Sequence, residues 1–181
     1  MSRRQHSADR LAELGYDASP AGLSRALQDG NVAVRAEAAG LLGEIDDDQV
    51  PTILERALTD SSARVRVEAA AALAARGGRE LADPVLHREL EGQLFADAPL
   101  RAARALATLG DPAGYPRVLE ALHSELPSNR MEAIAVLPDF ARFAGTELGG
   151  VVLDPVAALT EALDDPEELL RRDARQALDS L

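Results

Sequence analysis

Val34-Arg35-Ala36-Glu37-Ala38-Ala39-Gly40-Leu41-Leu42-Gly43 decides the fold, because the chain repeats it. The phrase returns 31 residues later as Val65-Arg66-Val67-Glu68-Ala69-Ala70-Ala71-Ala72-Leu73-Ala74. It returns again as Asn129-Arg130-Met131-Glu132-Ala133-Ile134-Ala135-Val136-Leu137-Pro138. Weaker copies stand at Leu100-Arg101-Ala102-Ala103-Arg104-Ala105-Leu106 and Leu170-Arg171-Arg172-Asp173-Ala174-Arg175-Gln176-Ala177-Leu178. Val34, Ala38, Leu41, Leu42 and Ile45 fall at helical spacing, as do Val65, Ala69, Ala72 and Leu73, which predicts a buried stripe in each helix. A period in the thirties predicts stacked two-helix units sharing a continuous core.

Punctuation cuts the chain to match. Ser19-Pro20, Asp83-Pro84, Asp111-Pro112, Asp154-Pro155 and Asp165-Pro166 each offer an N-cap side chain followed by a proline suited to the first helical position. Glu168 adds a capping-box acid to the last of these. Gly43, Gly77-Gly78 and Gly110 follow apolar runs as helix stops. The helices then pair as 19–29 with 31–45, 48–59 with 62–76, 83–95 with 98–109, 112–124 with 128–143, and 154–163 with 166–180. A short helix near 7–14, ended by Gly15, caps the first pair, since a terminal unit must hide a face that has no neighbour.

Composition supports helices and closes off several chemistries. The chain has 181 residues, 46% of them hydrophobic, yet only 3% aromatic and with no Trp. Alanine and leucine therefore fill the core, as close-packed helices prefer and strands do not. The absence of Cys excludes disulfides, thiolate metal ligands and cysteine nucleophiles. No apolar run approaches the roughly 20 residues that span a bilayer. The basic start Met1-Ser2-Arg3-Arg4 leads into no apolar h-region. The expected location is the cytoplasm, with no membrane partner. The net charge of −12 repels phosphate backbones and attracts basic groups, which disfavours nucleic acid as a ligand.

The pattern Val-Arg-x-x-Ala-Ala-x-x-Leu-Gly, preceded by Asp and a turn, resembles the HEAT-like repeat over residues 19–181, particularly the short bacterial variety found in phycobilisome lyase subunits. The resemblance implies an all-α fold, a right-handed α-solenoid of about five HEAT-like helical hairpins with a short N-terminal capping helix. It is expected to form a single domain over 1–181, with the cap at 1–18 and repeats at 19–46, 47–78, 79–110, 111–150 and 151–181. The resemblance also implies a role for the recurrent arginines Arg35, Arg66, Arg101, Arg130 and Arg171. In such arrays this arginine reaches an Asp at a neighbouring turn, and Asp29, Asp60, Asp97 and Asp164 or Asp165 stand where that ladder needs them. The chemistry of guanidinium leaves a second use open, a row of forks gripping an acidic ligand.

Departures from the phrase point to function. The third copy shifts its paired alanines toward Arg101, the fourth carries Pro138 where a small residue is usual, and the fifth comes 41 residues after the fourth. The excess maps to an insertion at 140–150 that holds Phe140, Arg142 and Phe143. These three are candidate partner contacts, with packing at a bend near Pro138 as the other reading for the phenylalanines.

No constellation carries catalysis. His6, His87 and His123 occupy unrelated repeat positions and form no HExxH-type pair. The acidic run Glu44-Ile45-Asp46-Asp47-Asp48 lacks the alternating ligands, central Gly and terminal Glu of a calcium loop. The expectation is a non-catalytic protein-interaction scaffold or adaptor without cofactor or metal, its partner a protein of basic character. That partner would be held by the face of the second helices and by the 140–150 insertion. Alternatives are a bilin lyase-like enzyme subunit and an immunity protein neutralising a basic toxin. Exposed ends of the array also leave a homodimer open.

Overall fold

The computed structural model describes residues 3–93 and 97–181. The chain divides into two compact units, Met1–Glu89 and Leu90–Leu181. The boundary falls within the expected third hairpin, residues 94–96 of which lie outside the described residues.

The first unit contains α1 (Arg3–Glu13), α2 (Pro20–Ala26), α3 (Val32–Leu42), α4 (Val50–Ala57), α5 (Ala63–Ala75) and α6 (Arg79–Leu90), whose last residue crosses the boundary. Helices α2 with α3 and α4 with α5 form the first two hairpins, and α3 lies along α5 while α1 packs on α3. The expected stripe is there but broader. Besides Val34, Ala38, Leu41 and Leu42, α3 buries Ala36 and Ala39, and α5 buries seven residues. A second helix meets its own partner on one side and the next second helix on another, so it is apolar around much of its circumference. Only small side chains permit that. A Cβ added at Gly43 would stand 2.8 Å from the Cβ of Ala72. Gly43 ends α3 as expected, but in ordinary right-handed backbone (φ −58°), where its glycine serves close approach rather than a left-handed turn. Leu11, Leu23, Leu42, Leu54, Leu73 and Leu86 are fully buried, so the large side chains of this core are all leucines.

The second unit contains α7 (Ala98–Thr108), α8 (Tyr115–Leu122), α9 (Pro127–Val136), α10 (Pro155–Glu161) and α11 (Glu168–Asp179). Helix α8 pairs with α9 and α10 with α11, while α9 lies against α11. The inserted region is built rather than looped. Leu137–Phe143 forms a 3-10 helix, and a two-stranded antiparallel ribbon follows, β1 (Glu147–Leu148) with β2 (Val151–Val152), pairing Glu147 with Val152 and Leu148 with Val151. Apart from this ribbon, the regular structure of the described residues is helical. Its core uses Leu100, Leu106, Ile134 and Leu137 together with Tyr115 and Phe140.

Four of the expected helix starts divide into two that hold and two that are displaced. Ser19 Oγ accepts from the Gly22 amide at 3.0 Å and Asp154 Oδ1 from the Ala157 amide at 2.9 Å, as N-caps should. The Asp83-Pro84 start is displaced, because α6 begins at Arg79 and takes Pro84 inside it. The Asp165-Pro166 start is also displaced, with α11 beginning at Glu168, because the Asp165 carboxylate serves another purpose. No helix among the described residues is long and apolar enough to cross a membrane.

Candidate functional site

The recurrent arginine sits near the start of each second helix, where its guanidinium can do two things at once. Arg35 Nη1 donates to the carbonyls of Asp29 (2.9 Å) and Gly30 (3.4 Å), closing the turn of its own repeat. Its Nε and Nη2 donate to Asp60 at 2.8 and 3.0 Å, in the next repeat. Arg66 does the same with the carbonyls of Asp60 (2.8 Å) and Ser61 (3.1 Å). Its fork closes on Glu89 at 2.8 and 2.9 Å rather than on the expected Asp97. At the other end, Tyr16 takes the place of an arginine and donates to Asp29 at 2.8 Å. Tyr16, Asp29, Arg35, Asp60, Arg66 and Glu89 thus form one relay through the first unit.

The acids of this relay also hold their own turns, since Asp29 accepts from the Asn31 amide and Asp60 from the Ser62 amide, both at 2.7 Å. Burial would raise the Asp60 carboxyl, but the Arg35 hydrogen bonds and the Ser62 amide outweigh it and hold the group below its ordinary value. Burial likewise acts against ionised Glu89, and hydrogen bonds from Arg66 and Arg88 prevail. The Asn31 amide and the Tyr16 hydroxyl lower Asp29.

In the second unit the relay is interrupted. Arg101 turns back to Asp97, the residue just before its own helix, at 2.9 Å. Arg130 restores the pattern, with Nη1 on the carbonyls of Ser124 (3.0 Å) and Glu125 (3.2 Å) and its fork on Asp165 at 2.7 and 3.1 Å. The Arg130 hydrogen bonds, helped by the Glu167 amide at 2.9 Å, hold the buried Asp165 carboxyl below its ordinary value. Arg171 completes only half the arrangement: Nη1 meets the carbonyls of Asp165 (2.6 Å) and Pro166 (2.9 Å). A signal for the breaks was available in the sequence. Six residues before the five arginines stand Asp29, Asp60, Phe95, Ser124 and Asp165. Where that residue is not acidic, the preceding arginine finds its carboxylate elsewhere. Arg66 takes Glu89, and Arg101 takes Asp97.

The insertion residues separate on inspection. Phe140 is 0% exposed and meets Tyr115 edge-on, with ring centroids 5.4 Å apart. A partner cannot touch it, so among the three candidate contacts Phe140 is corrected to a core residue. Tyr115 in turn accepts from the Asp154 amide at 3.1 Å, fixing the chain as it leaves the ribbon. Phe143 is half-buried, 6.2 Å from Phe140, and Arg142 lies 5.0 Å over its ring while donating to the Ala107 carbonyl. Arg142 and the ribbon valines Val151 and Val152 remain exposed.

The first unit carries a groove of about 280 Å³, lined by Ser7 of α1, Ala36, Glu37, Gly40 and Leu41 of α3, Glu44 after it, and Arg64 and Glu68 of α5. Three of its eight lining residues are glutamates. Glu37 pairs with Arg10 at 2.9 Å through one oxygen, while its other oxygen is buried without a partner among the described residues. The acidic run beyond the groove is otherwise engaged: Asp46 lies 3.7 Å from Arg76 and Asp47 accepts from the Gln49 amide at 2.8 Å.

Comparison with known proteins follows this architecture. The family described as HEAT repeats matches residues 4–74, 19–94 and 84–179. Among solved structures, the chain is similar to an engineered protein determined by crystallography, at 21% identity and a TM-score of 0.51, covering 98% of this chain and 89% of that one. A further match is human deoxyhypusine hydroxylase in complex with glycerol, at 20% identity and a TM-score of 0.36, covering 95% of this chain and 87% of that one. No curated protein matches the sequence.

Proposed function

The chain belongs to the HEAT-repeat family, and on that premise we propose that it is a non-catalytic scaffold that binds a basic segment of a partner protein. The observation that carries this reading is the glutamate-lined groove of α1, α3 and α5. Glu37 and Glu68 sit there on successive second helices, with Glu44 just beyond the first, in a chain of net charge −12. A repeat array offers such a face in a fixed spacing, so an extended partner can place side chains at repeat intervals. Guanidinium or ammonium groups entering the groove meet a surplus of carboxylates over its single lining arginine, Arg64, and the second oxygen of Glu37 has no donor among the described residues. The long-range field of the acidic surface would speed encounter with a basic partner. The proposed setting is the cytoplasm, and the reading requires no cofactor. The bilin lyase-like alternative is not part of it, since no aromatic-lined pocket among the described residues motivates that chemistry.

Calorimetric titration with an octa-arginine peptide tests the assignment. Binding is expected at low ionic strength, weakened about tenfold, or 1.4 kcal/mol, by the paired substitutions Glu37→Gln and Glu68→Gln. Raising the salt until the Debye length falls to about 3 Å should weaken it further. If the double variant binds the peptide as tightly as the parent, the groove is not the site.

A further inference from the structure

We propose that the guanidinium fork of Arg171 is a second binding site, of opposite sign, for a carboxylate presented by an acidic segment of another protein. In Arg35, Arg66 and Arg130, Nη1 is tied to two turn carbonyls, while Nε and Nη2 seat a carboxylate at 2.7–3.1 Å. Arg171 repeats the first half of this arrangement on Asp165 and Pro166. No carboxylate among the described residues meets its Nε or Nη2. The fork is therefore held in place by its backbone contacts before any ligand arrives, which lowers the ordering cost of binding a planar two-oxygen group.

The surroundings favour a protein acid. Arg171, Arg172 and Arg175 line a shallow pocket of about 540 Å³ with Glu168 and Leu169. Arg175 has no partner among the described residues. Arg172 is 3.5 Å from Asp173, with its side chain largely exposed. Arginines three and four residues apart on a helix repel one another unless a counter-charge joins them. Glu168 at the rim and Asp173 beside Arg172 offset two of the three arginines, which leaves the cluster with a positive excess of one in a chain otherwise strongly acidic. Leu169, 51% exposed, adds an apolar contact beside the charges, which a free inorganic anion would not use. Helix α11 buries only Leu170, Ala174 and Ala177, against seven residues in α5, so its outer face is open to a partner. This site is independent of the glutamate-lined groove, and neither proposal requires the other.

Fluorescence anisotropy with a labelled hexa-aspartate peptide, and with hexa-asparagine as the uncharged control, tests the site. The acidic peptide is expected to bind and the amide peptide not to. Arg171→Lys keeps the charge and a donor for the turn but loses the fork, and it should weaken binding about tenfold. Arg175→Ala, on the exposed side of α11, should weaken it several-fold while leaving the thermal melt unchanged, so a loss there cannot be attributed to unfolding. No binding by the parent protein, or equal binding by Arg171→Lys, overturns the proposal. Sedimentation that shows a dimer dissolved by Arg171→Lys also overturns it, because the occupant would then be a second copy of this chain.

Discussion

The two units solve one problem in two ways. In the first, successive repeats are joined by a polar relay from Tyr16 through Asp29, Arg35, Asp60 and Arg66 to Glu89, over a core whose largest side chains are leucines. In the second, the relay fails at Arg101 and resumes at Arg130, and the aromatic pair Tyr115 and Phe140 fills the core beside the inserted 3-10 helix and ribbon. The difference shows that an arginine rung is replaceable. What each repeat requires is a satisfied turn and a filled interface, and either a charge-assisted bond or a buried ring can serve.

The sharpest way to break this contrast is to remove the ring. Phe140→Ala deletes a fully buried side chain and strands one face of Tyr115, and should destabilise the second unit by about 3–5 kcal/mol. Urea denaturation followed by tyrosine fluorescence measures it. A loss below about 1 kcal/mol would mean that the insertion is peripheral to the core.

Removing a rung should cost less. Arg66→Ala leaves Glu89 buried without its principal donor and opens the carbonyls of Asp60 and Ser61, for a loss of about 1–3 kcal/mol in the same denaturation experiment. The rungs also predict a pH dependence. Asp60, Glu89 and Asp165 titrate lower in the folded protein than unfolded, so the folded state binds fewer protons and their contribution is fully present above the unfolded values of about 3.9 for Asp and 4.3 for Glu. It is lost as pH falls through the lower folded values. Glu89→Gln should flatten the acid limb of a stability–pH curve, and an unchanged limb would show that the Glu89 carboxylate contributes nothing to it.

Legibility in the sequence follows the same division. The repeat phrase revealed the hairpins because Val, Ala and Leu at helical spacing have one way to be buried. It also placed Arg35, Arg66 and Arg130 on the turns. The partners were harder to read, since a rung acid can come from another element, as Glu89 does from α6. Gly43 was legible as the end of α3 but not in its reason, because a glycine after an apolar run looks the same whether it supplies a left-handed turn or makes room for Ala72. The insertion was recognisable by length, and packing was one of the two readings of Phe140, but neither its ring partner Tyr115, 25 residues earlier, nor the ribbon could be inferred. The glutamates of the groove were likewise scattered along the chain until α1, α3 and α5 assembled them.

A gain of stability would sharpen the comparison further. Ser124 stands where Asp29, Asp60 and Asp165 stand in their repeats, and its Oγ already accepts from the amide two residues on, at 3.2 Å. Ser124→Asp keeps that bond and offers Arg101 a carboxylate in the next repeat, as an alternative to Asp97. The expected gain is about 0.5–1 kcal/mol. If stability falls instead, the break at Arg101 is required by the packing of the second unit and is not merely a missing side chain.

The smallest effect is the most discriminating. Arg101 occupies the same position in the repeat as Arg66, but its bond to Asp97 is an ordinary pair four residues apart on one helix, with the acid about half exposed. Such a pair contributes little, because water screens it and two long side chains must be ordered to make it. Arg101→Ala should therefore cost no more than about 0.5 kcal/mol, several-fold less than Arg66→Ala. The same substitution placed in the Ser124→Asp background should cost more, since Arg101 would then bridge repeats. A double-mutant cycle over these two positions measures the coupling. Zero coupling would mean that the acid six residues before the next arginine does not determine where a rung closes.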